Sequence, residues 1–186
     1  MAYRITPPEK IRGTIQLPAS KSISNRLLII KALSSANIDI GNLSDAEDTK
    51  TLEALLSSDE ETLDCGHAGT TFRFLTAYLS TLNGSRILTG SDRMKQRPVG
   101  VLVEALRELG AEITYLGEEG FPPLQIDGGN INGSEVTMDS TISSQFISAL
   151  ILIAPSLPKG LTIHLTDKVV SQAYIEMTLK VIRHFG

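Results

Sequence analysis

The sequence predicts an α/β (α+β) fold built from a repeated unit, and three observations predict it. Apolar segments of helix length follow clusters of small hydroxylated residues, at Ser20-Lys21-Ser22, Gly69-Thr70-Thr71 and Ser143-Ser144-Gln145. Short runs with strand character, such as Arg86 to Thr89 and Leu161 to Leu165, separate these segments. A spacing also recurs: 26 positions from Ser22 to Asp48, 27 from Thr70 to Arg97 and 27 from Ser144 to Ser171. Self-similarity at a fixed period marks a chain made of equivalent structural units. Each unit here is a hydroxyl-rich start, a buried helix, a short strand, a polar turn and a more amphipathic helix. The third copy stops after its second helix, without the hairpin that follows in the second.

Taken in order, Tyr3 to Ile5 and Ile11 to Leu17 read as strands, the first cut off by Pro7-Pro8. A helix is expected from Ser20 to about Ser34, ending in Ser34-Ser35-Ala36-Asn37, and Ile38 to Ile40 alternates like a strand. Asp45 to Asp48 should cap a second helix with Leu52, Leu55 and Leu56 on its apolar side. Ser57 to Asp64 reads as an acidic, solvated loop. The turn Cys65 to Thr71 leads into a helix over Phe72 to Leu82 that is apolar on most of its surface, hence buried. Asn83-Gly84 turns the chain into the strand Arg86 to Thr89. A helix follows Pro98 and ends at Gly110, while Ile113 to Leu116 and Leu124 to Ile126 pair as a hairpin. Thr141-Ile142-Ser143-Ser144-Gln145 opens another apolar helix, and Tyr174 to Phe185 forms the last, stopped by Gly186.

Composition bounds the function. With 186 residues the chain can form one sizeable core, or one domain of a larger protein. A net charge of −4 argues against a general nucleic-acid binder, which carries a basic excess. A single cysteine, Cys65, allows no internal disulfide and fits a reducing, cytoplasmic setting. Met1 to Gly13 shows no targeting pattern, and the longest apolar run, Phe146 to Ala154, is far short of a membrane span.

The chemistry concentrates at the helix starts. Free N–H groups there favour an anion, and Lys21 adds a full cation at the first of them. Ser22 and Arg26 lie one turn apart on one helix face, so Arg26 could grip a carboxylate or phosphate bidentately beside the Ser22 hydroxyl. If the copies share an axis, three starts face one cleft, and Arg93 to Arg97 adds three cations just before another helix. A basic turn of that kind, taken alone, is equally a solvated surface feature, Gly69 alone is a turn residue, and His67 alone is a local hydrogen-bond partner. One Cys and three scattered His residues supply no zinc pattern, and neither a Walker A motif nor a Gly-rich dinucleotide fingerprint is present, so no cofactor is expected.

Pro18-Ala19-Ser20-Lys21-Ser22, Asn25-Arg26, Ala68-Gly69-Thr70, Arg93-Met94-Lys95-Gln96-Arg97-Pro98, Ser143-Ser144-Gln145-Phe146 and Ser171 with Tyr174 occur together in one order. On these motifs the chain resembles the N-terminal part of the 5-enolpyruvylshikimate-3-phosphate synthases, whose members are about twice as long. The resemblance implies repeated βαβαββ units with parallel helices buried inside and sheets outside, an inside-out α/β barrel-like domain. It implies that residues 1–15 associate with a second domain, that 16–186 form the N-terminal domain, and that the second domain lies outside this chain. The implied reaction moves the enolpyruvyl group of phosphoenolpyruvate to the 5-hydroxyl of shikimate 3-phosphate and releases phosphate. By the same resemblance Lys21, Ser22, Arg26, Ser143, Ser144, Ser171 and Tyr174 serve shikimate 3-phosphate. Lys21, Gly69, Thr70, Arg97 and Gln145 serve phosphoenolpyruvate, and Lys21 lies near the reacting hydroxyl as the catalytic group. The family usually has Asn where this chain has His67, which stays unassigned, and Pro is common where Phe74 stands.

Two other readings remain beside this one. The related UDP-N-acetylglucosamine enolpyruvyl transferases have Lys-Asn in place of Lys21-Ser22 and a reactive loop cysteine, whereas Cys65 is not in the matching place. A non-catalytic anion-binding module would keep the cleft without turnover, because the family's acid/base carboxylates lie in the second domain.

Overall fold

Apolar residues repeated on a helical period, opened by a hydroxyl or small residue, decide where this chain coils. The computed structural model describes residues 2–34, 36–139, 141, 143–166 and 171–185. Its elements run α1 (Lys21–Leu33), α2 (Glu47–Leu56), β1 (Thr62–Asp64), α3 (Gly69–Thr81), β2 (Gly84–Thr89), the one-turn α4 (Asp92–Lys95) and α5 (Gly100–Glu108). They continue through β3 (Glu112–Tyr115), β4 (Leu124–Gly128), β5 (Glu135–Met138), α6 (Ser144–Ile153), β6 (Thr162–Leu165) and α7 (Gln172–His184). Ser35, Ile142 and Gly186, which the sequence reading placed at a helix end, a helix start and a terminal stop, lie outside the described residues.

One sheet has the order β1-β2-β4-β3, with β1 and β2 parallel, β4 antiparallel to β2, and β3 antiparallel to β4. A parallel pair needs a crossover, and α3 supplies it between β1 and β2. β5 and β6 form a second, parallel pair bridged in the same way by α6. Leu63, Leu88, Ile113, Leu124 and Ile126 point from the larger sheet into the core. There they meet α3 and α5, and α3 packs along α6.

The expected burial of the two apolar helices holds. In α3 Phe72, Phe74, Leu75 and Ala77 are at most 1% exposed, and α6 buries Phe146, Ile147, Leu150 and Ile153. Hydroxyls inside α3 are satisfied within the helix, Thr76 donating to the Phe72 carbonyl and Ser80 to that of Thr76, both at 2.8 Å. A helix can therefore be buried on nearly all sides without orphaned hydroxyls.

Other expectations are corrected. Residues 2–20 hold no strand, and Tyr3, Ile5, Ile11, Ile15 and Leu17 are solvent-exposed, because no neighbouring strand offers them a ladder. Ile38 to Ile40 is likewise not a strand. The acidic loop is shorter than read: Asp59, Glu60 and Glu61 are exposed, but Thr62–Asp64 pairs with Ile87–Thr89 and buries Leu63. α2 starts at Glu47 after Ala46 with no side-chain cap, so Asp45 does not cap it. β5, a stretch to which the sequence reading assigned no element, forms because β6 gives it a parallel partner.

Gly128 ends β4 where a Cβ would run into the carbonyl oxygens of Leu79 and Leu82 at the end of α3. Neither oxygen can move without breaking the helix end. Gly128→Ala is expected to lower stability by on the order of 1–3 kcal/mol, the usual scale of overpacking. At Gly117 a new Cβ would meet only Pro123, at 3.7 Å, an ordinary contact. Urea unfolding should therefore show a lowered midpoint for Gly128→Ala and little change for Gly117→Ala; equal midpoints would contradict the packing of the sheet on α3.

Candidate active site

Four helices begin at one cavity. Lys21, Ser22 and Arg26 of α1, Thr70 of α3, Ser143-Ser144-Gln145 at α6, and Ser171 with Tyr174 at α7 line a space of about 380 Å³. The sequence reading required Lys21, Thr70 and Ser144 to share a face, and the structure brings them to one wall. Each helix has 10 to 13 residues, so each aims a developed positive end at the space.

The local chemistry of each start follows from its residues. Ser20 caps α1, its Oγ accepting from the Ile23 amide at 3.4 Å, which leaves Lys21 as the first helical residue. Lys21 is not a solitary cation: its Nζ lies 3.2 Å from Asp48 Oδ2 at the start of α2. The Asp48 carbonyl in turn accepts from the Thr71 hydroxyl at 2.8 Å, so one acidic residue ties α1 to α3. Ser143 caps α6 with its Oγ accepting from the Gln145 amide at 3.2 Å. Ser171 precedes α7 with φ 58° and ψ 41° and makes no capping bond. A left-handed serine costs roughly 1–2 kcal/mol, and here it leaves the Ser171 hydroxyl unused at the cavity wall.

Arg26 lies deeper than the sequence suggested, at 3% exposure. Its Nε donates to Thr178 Oγ1 at 2.7 Å, Nη1 to the Ser22 carbonyl at 2.8 Å, and Nη2 to Ser148 Oγ at 3.0 Å and the Tyr174 carbonyl at 3.4 Å. The guanidinium carbon stands 5.4 Å from the Phe74 ring centre. Burial pulls its pKa down to about 10, with the Tyr174 hydroxyl pulling weakly the other way. Most of the fork that was expected to hold an anion bidentately is thus tied into the protein. What faces the cavity is a desolvated positive charge with no carboxylate in ion-pair range among the described residues.

Gly69 and Arg97 do not line this cavity but sit at its border. A Cβ on Gly69 would collide with the Arg97 guanidinium and crowd Arg73 Nη1, so glycine lets a cation lie directly on the start of α3. Arg97 belongs to a second space of about 380 Å³, lined by His67, Arg93, Met94, Gln96 and Arg97. The Gly69–Thr70 link stands between the two spaces.

Two participants escaped the sequence reading. Asp48 entered it as a helix cap and as one end of the repeat spacing, without a role at the site. Arg73 was passed over, although one cation inside the apolar run Phe72 to Leu82 was the available signal. It is buried, donates to the Gly69 carbonyl at 2.8 Å, and stacks 5.1 Å over the Phe146 ring, while its Nε has no partner. Burial first, and then the charge of Arg97, push its pKa down to about 10. Among the described residues no cluster of His, Cys, Asp or Glu could hold a metal, and no helix is long and apolar enough to cross a membrane.

Comparison with known proteins bears on the family and the fold. A family model described as EPSP synthase (3-phosphoshikimate 1-carboxyvinyltransferase) matches residues 5–58 and 52–186. A 3-phosphoshikimate 1-carboxyvinyltransferase of Bacteroides fragilis is 52% identical over 186 residues, covering 100% of this chain and 45% of the relative. One from a Sulfurovum species is 40% identical over 208 residues, covering 98% and 49%. The chain therefore spans about half the length of the curated relatives it matches. Among solved structures, EPSP synthase from Acinetobacter baumannii superposes with a TM-score of 0.79 at 22% identity, over 94% of this chain and 44% of that one. That likeness fixes the fold as a mixed α/β domain of the same kind. The matches over the whole length show that this chain belongs to the EPSP synthase (3-phosphoshikimate 1-carboxyvinyltransferase) family.

Proposed function

We propose that this chain is the N-terminal part of an enzyme that transfers the enolpyruvyl group of phosphoenolpyruvate to the 5-hydroxyl of shikimate 3-phosphate, releasing phosphate, in aromatic amino-acid biosynthesis. The observation that carries the reading is the convergence of four helix starts, Lys21 and Arg26 on one cavity. Two phosphates and two carboxylates must share such a cleft, which calls for a surplus of fixed donors. Ser22 and Arg26 take the shikimate carboxylate, Arg26 through its field and its remaining N–H. Ser143, Ser144 and Ser171 take the 3-phosphate, and Tyr174 packs beside the ring. Gly69, Thr70, Gln145 and Arg97 take phosphoenolpyruvate. Lys21 stands between the two sets, near the reacting hydroxyl, and an arriving anion would compete with Asp48 for its ammonium.

The wider architecture belongs to the same proposal. Repeated βαβαββ units, with parallel helices inside and sheets outside, form residues 16–186, and residues 1–15 pair with a second domain that supplies the acid/base carboxylates. The setting is cytoplasmic, in keeping with one unpaired cysteine. The UDP-N-acetylglucosamine relative finds no support at Cys65. Its thiol is buried, and burial together with Asp64 pushes its pKa well up, the reverse of a reactive thiolate.

The protein as given should bind shikimate 3-phosphate weakly and turn nothing over. Every residue assigned to that ligand lies in this chain, but a one-sided cleft leaves the ligand hydrated and its charges screened. Calorimetric titration with shikimate 3-phosphate, paired with a phosphate-release assay, checks this. Turnover would refute the division of labour between halves, and absence of binding by folded protein would refute the substrate assignment.

Lys21→Ala should leave the fold intact, because an exposed ion pair contributes about 0–1 kcal/mol. In the complete enzyme the same change should depress use of phosphoenolpyruvate far more than the melting temperature. Normal kcat/KM combined with a large fall in Tm would reverse the assignment.

A further inference from the structure

His67 occupies the turn between β1 and α3, exposed, at the edge of the second cavity. Its Nδ1 lies 2.8 Å from Ser91 Oγ. The same oxygen caps α4, accepting from the Met94 amide at 3.4 Å. The serine oxygen keeps a second lone pair beside the amide contact, so it either donates its hydrogen to Nδ1 or accepts one from it, according to the tautomer. Nε2, the other ring nitrogen, has no protein partner among the described residues. Charging the ring makes Nε2 a donor whichever tautomer the neutral form has, and adds a cation in the same place.

The surroundings are basic. Arg93 and Arg97 share the cavity with His67, and Gln96 adds an amide. On α4, Asp92 and Lys95 lie 3.7 Å apart and engage each other. Asp64 of β1 turns its Oδ1 to the Gly66 amide at 2.8 Å. Arg73 lies behind Gly69, against Arg97. No carboxylate stands within ion-pair distance of the imidazole among the described residues. Three nitrogenous side chains and an amide around a space of about 380 Å³, with no acid to neutralise them, suit a compact oxyanion.

We propose that His67 is the titratable donor of an anion subsite formed with Arg93, Gln96 and Arg97, taking the phosphoryl group of a small phosphomonoester and holding it more tightly in mildly acidic solution. The proposal rests on the reading that this cleft accepts phosphoenolpyruvate, and it adds a pH-sensing donor to it. Binding and protonation are reciprocal, so an anion in the subsite raises the proton affinity of His67 by the factor that protonation raises anion affinity.

Sulfate is the probe of choice, because it stays a dianion throughout the range in which histidine titrates. Calorimetric titration of the protein with sulfate at about pH 5.5 and about pH 8 brackets that range. Sulfate should bind about two- to fivefold more tightly at the acid end, the scale of one exposed ion pair. His67→Asn keeps a donor but cannot gain charge, and should bind equally at both ends. The imidazole resonance that this variant lacks should titrate at higher pH when sulfate is present. The same pH dependence in His67→Asn, or an imidazole indifferent to sulfate, would overturn the proposal. Binding that is lost in Arg97→Ala but pH-independent in the unaltered protein would overturn the role of His67 and leave the cleft reading standing. No sulfate binding at either pH, by protein that unfolds cooperatively, would overturn both.

Discussion

Arg26 rises from α1 into a space where four helices meet, and each contributes a group to it. α1 offers the Ser22 carbonyl, α6 the Ser148 hydroxyl, α7 the Thr178 hydroxyl and Tyr174 carbonyl, and α3 the Phe74 ring. Thr178 also donates to the Tyr174 carbonyl at 2.7 Å, so the acceptors are themselves joined. A buried cation is tolerable only when its donors are met, and these are met only with the helices in register. The register that satisfies Arg26 also sets Ser22, Thr70, Ser144 and Ser171 around the cavity. Because folding lowers the pKa, the charged form is held at a cost below about pH 10, and that cost vanishes only in strong alkali. A bound anion offsets it, which couples the stability of the helix bundle to occupation of the cleft.

The start of α3 repeats this logic with two cations. Arg73 is buried under Gly69, Arg97 lies over it, and burial first and then the charge of Arg97 weaken the hold of Arg73 on its proton. Phe146 gives Arg73 an aromatic face, as Phe74 does for Arg26, and the two rings come from the two most buried helices. Buried aromatic faces stabilise guanidinium groups without neutralising them. The protein thereby keeps positive potential at the helix starts instead of cancelling it with carboxylates.

Much of this was legible before any coordinates. The repeat of hydroxyl-rich starts placed Ser20, Gly69-Thr70 and Ser143-Ser144 at helix N-termini, because capping and apolar periodicity are local properties. The β3–β4 hairpin was readable for the same reason. What escaped depends on distant partners. Residues 3–5 and 11–17 have strand composition, yet composition cannot supply a neighbouring strand, and they lie exposed. β1 lies in a stretch that reads as acidic loop, yet it pairs with β2, 25 residues onward, and β5, given no element, pairs with β6, 27 residues onward. The roles of Arg26 and Arg73 were hidden in the same way: a helical spacing shows which face a side chain occupies, and says nothing of Thr178, 152 residues away, waiting to receive it.

A chain of net charge −4 whose helix starts and cations gather at one cavity reverses its sign locally. Three devices combine to do so. Acidic residues such as Asp59, Glu60 and Glu61 are kept on an exposed loop, where solvent screens them. Four helix ends lend partial positive charge without any side chain. The cations are divided by environment: Arg26 and Arg73 are buried and fixed, Lys21 is exchangeable through Asp48, and Arg93 and Arg97 reach solvent without an ion-pair partner among the described residues. Fixed charges cost no reorganisation when a ligand arrives, and exposed ones steer its approach. Lys21 is held by one partly exposed 3.2 Å contact to Asp48, so its charge is the least fixed of the cations at the cavity. The Asp48 carbonyl is bound to Thr71 independently of that ion pair, so α2 is tied to α3 whatever the Asp48 side chain does.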